Sequence, residues 1–204
     1  MSKGFLLIIS GPAGTGKGTV CKELLERNKD ILYSISATTR KPRTGEVDGV
    51  NYFFIDEEEF NRRIEKDEFL EYAYVHTNYY GTPRDFVIDK IDNGETVLLE
   101  IDVQGALQVK KNYSEAVLVF ILPPTMEELR DRIVKRGTES EEDINRRFEN
   151  AFKELKYIEE YDYFVINDEI QDAVLDVETI IKAERLKVKR NSNITDKIIS
   201  KGVR

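Results

Sequence analysis

The chain has 204 residues, 40% of them hydrophobic and 34% charged, with a formal net charge of -8; this is the balance of an ordinary globular protein, neither disordered nor membrane-bound. The negative charge opposes broad binding to nucleic acid, which depends on neutralising many phosphates with a basic surface, so any anionic ligand must be held by a local cationic cluster. A single cysteine, Cys21, excludes an intrachain disulfide, and a single histidine, His76, leaves serine–histidine or cysteine–histidine catalysis resting on one residue.

The first apolar run, residues 5–9, reads as a buried strand. It is far shorter than the ~20 residues of a membrane helix, and it leads into a glycine loop where a secretion signal would have a small-residue cleavage site. A cytoplasmic protein without membrane contact is therefore expected. A helix follows over about 19–27, with Val20, Leu24 and Leu25 inward and Cys21 as a small buried residue. After an apolar stretch at 31–35 the chain turns polar and rich in turn residues, the start of an inserted region. In it, 52–55 and 69–75 resemble short strands around a helix that Asp56 and Glu59 start as a capping box. A helix with Pro83 at its first position and Gly94 past its end returns the chain to the core. Apolar strands at 96–101, 117–122 and 163–166 alternate with helices, one opened by Thr125 and Glu128 and another by Ser140 and Asp143. This alternation implies an α/β fold: a mostly parallel five-stranded sheet flanked by helices, carrying a mixed α+β insertion and a helical lid. The expected division is a core of residues 1–35, 83–124 and 161–186, an insertion of 36–82, a lid region of 125–160, and a basic tail, frayed or helical, of 187–204.

The most specific local signal follows the first strand. Gly11, Pro12, Ala13, Gly14, Thr15, Gly16 and Lys17 have the spacing glycine, four residues, glycine, lysine, in which backbone N–H groups wrap phosphate oxygens and the lysine bridges them. The next residue, normally Ser or Thr with its hydroxyl on magnesium, is Gly18, and the first hydroxyl comes at Thr19. The direct magnesium ligands are thus left open. The Gly-Lys-Gly-Thr ending resembles that of adenylate kinases.

In the insertion, Arg40 and Arg43 stand three apart near Glu46, Tyr52 and Tyr80. Arginine forks and tyrosine hydroxyls suit a phosphate, although spacing alone leaves a solvated loop equally open. The run from Ser36 through Arg40, Arg43 and Glu46 to Tyr52 is followed by Phe69-Leu70-Glu71, by Tyr79-Tyr80-Gly81-Thr82, by Leu99-Glu100-Ile101-Asp102-Val103-Gln104-Gly105, and by Arg136-Gly137-Thr138-Glu139. Together these motifs closely resemble those of guanylate kinases, over roughly residues 4–183.

The resemblance implies that ATP, carried with Mg²⁺, phosphorylates GMP. It assigns Arg40, Arg43, Tyr52 and Tyr80 to the GMP phosphate, with Glu46 ordering the arginines. It sets Ser36, Glu71, Thr82 and Asp102 around guanine, Thr82 replacing a serine of many relatives. Guanine's N1–H and N2 amine are donors that suit acceptor-only carboxylates, whereas adenine offers an acceptor at N1. The plainer readings of Glu71 and Asp102 are an exposed strand carboxylate and a helix N-cap. The resemblance also implies a lid closing over ATP between Pro123 and Arg147. Lys17, Arg132, Arg136 and Arg147 would then surround the transferring group, and Asn167 would touch adenine; Arg146 competes with Arg147 for its role. Three rivals stay open: an adenylate-type kinase, a guanylate-kinase-like protein-binding module without catalysis, and a general P-loop ATPase or GTPase. Protein partners and oligomeric state are not legible.

Overall fold

The computed structural model describes residues 3–75, 77–135 and 141–202. His76, Arg136 and Ser140 lie outside them. The core is a parallel sheet in the order β2 (Ile31–Tyr33), β7 (Thr96–Glu100), β1 (Phe5–Ser10), β8 (Val117–Leu122), β9 (Tyr163–Ile166). Side chains alternate faces along a strand, and β1 feeds two cores. Phe5, Leu7 and Ile9 pack with residues of α1 (Lys17–Arg27) and α7 (Ile170–Arg185), among them Leu24 and Val177. Leu6 and Ile8 pack on the opposite side with α3 (Arg84–Asp92) and α4 (Val103–Asn112), through Val87, Ile91, Ala106 and Val109. All six β1 residues are buried, which is why this strand reads as an unbroken apolar run. Among the described residues, no helix is long and apolar enough to cross a membrane.

The insertion forms its own four-stranded sheet in the order β4 (Phe53–Phe54), β3 (Ala37–Thr38), β6 (Asn78–Pro83), β5 (Phe69–Val75). α2 (Glu57–Glu65) covers it through Phe60, stacked on Phe69 at 4.4 Å and on Tyr79 at 5.1 Å. A second satellite pairs α5 (Met126–Lys135) with α6 (Glu141–Glu154) around Leu129, Ile133 and Ala151.

Local details differ from the sequence expectation. β6 covers residues for which the sequence suggested no strand; Gly81 occupies a position in it where a Cβ would meet Glu71 O, Phe69 and Phe60 at 3.0–3.1 Å. Pro83 ends that strand and caps α3 from outside it. α1 starts at Lys17, two residues early, so the lysine belongs to the helix's first turn. The capping box at Asp56 is half built: Asp56 accepts from Glu59 N at 2.8 Å, while the Glu59 carboxylate accepts from Arg62 and Arg63.

The tail is helical in part, as α8 (Ile194–Gly202), and residues just before it are fastened to the core. Lys3 N donates to Arg190 O at 2.8 Å, and the Arg190 guanidinium stands 4.7 Å from the centre of the Phe5 ring. Arg190 Nη2 donates to Glu184, a carboxylate at the end of α7 with no exposed surface that also accepts from Tyr163 and Lys187. Burial alone would push the Glu184 pKa up, but these three donors outweigh it and hold the group ionised. Glu184→Ala strands Arg190 without its counter-ion and is expected to cost about 3–5 kcal/mol, read from urea unfolding; a loss under about 1 kcal/mol would show that the tail clamp is dispensable.

Candidate functional site

The glycine loop lies at the C-terminal edge of the sheet, between β1 and α1. Gly11 has φ 136° and Gly16 φ 86°, backbone regions that side chains rarely allow. A Cβ on Gly11 would stand 2.5 Å from Ile121 O, and one on Gly16 would strike Asn167 Nδ2. Asn167, buried just past β9, donates that nitrogen to Thr15 O at 2.7 Å, and its own N–H donates to Leu122 O. Thr15 in turn donates its hydroxyl to Pro12 O. Gly14 is packed against Leu129 and Ile133 of α5, whereas Ala13, Gly18 and Thr19 face outward. Lys17 Nζ donates to Gly11 O at 2.6 Å and Pro12 O at 2.9 Å. Burial lowers its pKa, partly offset by the Glu100 carboxylate.

A second group of polar side chains gathers in the insertion. Arg40 grips Glu46 through both nitrogens, at 2.9 and 3.0 Å, and Arg43 N donates to Glu46 Oε2 at 2.7 Å. The Arg40 guanidinium lies 5.4 Å from the Tyr52 ring centre, and the Tyr80 ring is 6.0 Å from that of Tyr52. Hydrogen bonds from Arg40 and Arg43 keep the Glu46 carboxyl below its usual pKa. Arg43 itself is exposed. Ser36 is partly buried between β2 and β3, its carbonyl accepting from Phe53 N.

Where the insertion meets the core, Glu71 on β5 lies opposite Thr82 on β6 and accepts its hydroxyl at 2.6 Å. Glu71 is 7% exposed, so the reading as an open strand carboxylate fails. Burial raises its pKa to about 7; the Thr82 hydroxyl works against that, and the charge of Asp102 adds to it. Asp102 does cap α4, accepting from Gly105 N at 2.8 Å through Oδ1. A Cβ at Gly105 would lie 3.4 Å from Glu71 Oε2 and 3.5 Å from Asp102 Oδ1, so both carboxylates converge on one glycine. A cavity of about 270 Å³ joins this corner to the loop, lined by Gly11, Lys17, Glu100, Asp102 and Glu154.

The model of the family described as guanylate kinase matches residues 3–184. A curated guanylate kinase from Caldanaerobacter subterraneus subsp. tengcongensis is 57% identical over 98% of both chains, and one from Clostridium tetani is 56% identical over 93% of this chain and 91% of its own. The chain belongs to the guanylate kinase family. Its fold agrees with the crystal structure of guanylate kinase from Anaplasma phagocytophilum, with a TM-score of 0.72 at 37% identity over 93% of this chain and 90% of that one.

In this guanylate kinase family member Arg132 lies on α5 and Arg146 and Arg147 on α6. Arg132 donates to Glu128 and, at 2.9 Å, to the Asn167 carbonyl. Arg146 is turned outward to Asp143 at 2.6 Å, while Arg147 is partly buried and shares a helix face with Ala151 and Glu154, four and seven residues on. That arrangement favours Arg147 over Arg146. Glu100, Glu154 and Tyr161 were not singled out from the sequence. Glu100 is two residues before Asp102, within a motif already noted; Glu154 and Tyr161 carry no local signal. Tyr161 donates to Ser10 Oγ at 3.0 Å and meets Phe120 edge-on at 4.7 Å, burial raising its pKa to about 12. It ties the chain after α6 to Ser10, the last residue of β1 before the glycine loop.

The Glu71 carboxyl keeps its proton in the folded protein over a range where the unfolded chain, at the ordinary 4.5, has lost it. Folding stability therefore falls as pH rises from about 4.5 to 7, and the cost is complete above that. Glu71→Gln should stabilise the ligand-free protein by roughly 2–3 kcal/mol at pH 8 and by under about 1 kcal/mol at pH 5. Equal gains at both pH values in urea unfolding would contradict the raised pKa.

Proposed function

We propose that the chain transfers the γ-phosphoryl group of ATP to GMP, giving ADP and GDP, with the glycine loop holding ATP and the insertion holding GMP. The observation that carries the substrate choice is the buried Glu71–Thr82 pair converging with Asp102. A site of this kind presents acceptors to the two donors of guanine, and could reject the wrong base by about 10⁴ or more. The Arg40, Arg43, Tyr52 and Tyr80 group, held by Glu46, suits the GMP phosphate. The complete loop with a desolvated Lys17 supports a catalytic member over a binding module.

In this reading an oxygen of the GMP phosphate attacks the γ-phosphorus, and the bond to the bridging oxygen breaks, leaving its electrons on the β-phosphate of ADP. The phosphate's second pKa is ~6 by analogy with phosphoserine, so no general base is required. The protein's task is to hold two anions in line and spread positive charge over the transferring group. Lys17, Arg40, Arg43, Arg132, Arg136 and Arg147 supply that charge. Arg132 must leave Glu128 or the Asn167 carbonyl to take part, so the lid has to move, and its closure excludes water that would otherwise accept the phosphoryl group. The separate apolar clusters of insertion and lid support a three-part enzyme.

Mg²⁺ fits this site. Gly18 carries no hydroxyl, but a Cβ there would stand only 3.4 Å from Glu100 Oε1, so a hard carboxylate oxygen lies beside the position where the usual Ser or Thr would be. Among the described residues, no three carboxylate, Cys or His side chains form a cage of their own. This suits a cation that enters on ATP phosphates and meets one or two carboxylates, with Glu100 and Asp102 the nearest candidates. When bound, Mg²⁺ neutralises charge on the β- and γ-phosphates.

With ATP and Mg²⁺ and GMP, AMP, CMP or UMP in parallel, only GMP should be converted to its diphosphate, with one ADP formed from ATP per GDP. ADP formation that depends on AMP would restore the adenylate-type reading, and no transfer by folded protein would favour the binding module. Arg40→Met should lower kcat/KM for GMP by on the order of 10² or more, since a charged group in the transition-state site is lost, with the unfolding midpoint little changed. Full activity in that variant would overturn the acceptor-site assignment.

A further inference from the structure

At the opposite end of the sheet from the glycine loop lies a cavity of about 410 Å³. It opens at the N-terminal ends of β1 and β8, and a six-residue strand separates it from the loop by roughly 20 Å. Five cationic side chains line it: Lys3, Lys110, Lys187, Lys189 and Arg190. Two carboxylates line it with them, Glu115 and Asp162, and the buried Glu184 behind the wall pairs with Arg190 and Lys187, which leaves an excess of two positive charges on a chain of net charge -8. We propose that this cavity is a second anion site, taking a compact ligand with two or more phosphate groups.

Three observations carry the assignment. Arg190 is anchored by Glu184 and Phe5 and its side chain is only 11% exposed, yet its Nε is buried with no hydrogen-bond partner. A buried donor left unpaired costs free energy, and since Nε is enclosed, an anionic oxygen satisfies it once the guanidinium turns toward the cavity. The Lys3–Glu115 and Lys110–Asp162 pairs, each 2.9 Å, are between partners 31–58% exposed; such pairs contribute about 0–1 kcal/mol, so a multiply charged anion can draw the lysines inward. Lys189 is exposed and makes no ion pair among the described residues. Neutralising a helix C-terminus accounts for Lys110 at the end of α4, but not for Lys3 ahead of β1 or for Lys189 beyond α7. The volume admits an inorganic polyphosphate or the phosphate end of a nucleotide.

The test is amide NMR of the full chain titrated first with inorganic pyrophosphate and then with GDP. The amides of Ser114, Lys189 and Arg190 should shift along a saturation curve separate from that of the Gly14 and Lys17 amides. In a Lys3→Glu, Lys189→Glu double variant the remote shifts should weaken about tenfold or more, because reversing two charges turns the wall net negative, while the loop shifts and phosphoryl transfer persist. A tighter remote response to GDP would assign a nucleotide, and an equal one the phosphate groups alone; either upholds the site. Remote amides that stay still while the loop saturates would overturn it, as would remote shifts unchanged in the double variant.

Discussion

The glycine loop depends on a backbone contact that admits no side chain: Gly11 against the carbonyl of Ile121 and Gly16 against Asn167. Five parallel strands in the order β2-β7-β1-β8-β9 make that contact available, because β8 lies beside β1 and β9 beside β8, so their C-terminal ends stand on one side of the place where β1 releases the chain. Asn167 then does two things at once. Its side chain holds Thr15 O from one side, and its carbonyl receives Arg132 of the lid from the other. Loop, last strand and α5 therefore share a residue, and in the proposed closure a movement that frees Arg132 acts on the residue that fixes the loop.

The cleft has a second constraint, set by charge. Lys17 is short of water and faces a cavity wall bearing Glu100, Asp102 and Glu154. The Glu154 pKa is raised by burial although Lys17 pulls it down, which identifies this carboxylate as sitting in the lysine's field. Glu154 ends the lid helix that also carries Arg147. In the proposed reaction, phosphates arriving at Lys17 repel Glu154 and attract Arg147, two turns apart on one helix. In that reading both forces act on α6, so occupancy of the loop would bear on the position of this helix through electrostatics.

What was legible in the sequence follows from what is local. β1, the glycine loop and β5 could be read directly, since an unbroken apolar run, a fixed glycine–lysine spacing and a strand of aromatic and aliphatic residues are local signals. β6 was missed because its Gly81 and Pro83 punctuate like a turn, and only the approach of Glu71, Phe69 and Phe60 explains why a glycine is wanted there. The two-residue strand β3 was hidden in the same way, being defined by its partners β4 and β6. Arg40, Glu46, Tyr52 and Tyr80 were found through the family resemblance, and their spacing alone would not have separated them from a solvated loop. Glu154 and Tyr161 escaped altogether, because each matters through a partner over a hundred residues away, Lys17 and Ser10 respectively.

The state of Glu71 bears on how a base would be chosen. An exposed carboxylate must shed its water when a ligand arrives, and that loss weakens discrimination because water can also satisfy it beside a wrong ligand. Glu71 is already buried in the free protein, with Thr82 supplying one hydrogen bond and Asp102 adding repulsion. The desolvation cost has been met by folding, and the pKa near 7 is its signature. A base with two donors relieves this frustration and, in the proposed site, draws the carboxyl toward its ionised form; a base with an acceptor at the same place is met only while the carboxyl keeps its proton. Thr82 keeps the carboxylate aimed while leaving Oε2 on the side of Gly105 and Asp102. Selectivity would then sharpen above about pH 7, where the ionised Glu71 rewards the two donors of guanine and opposes an acceptor in their place.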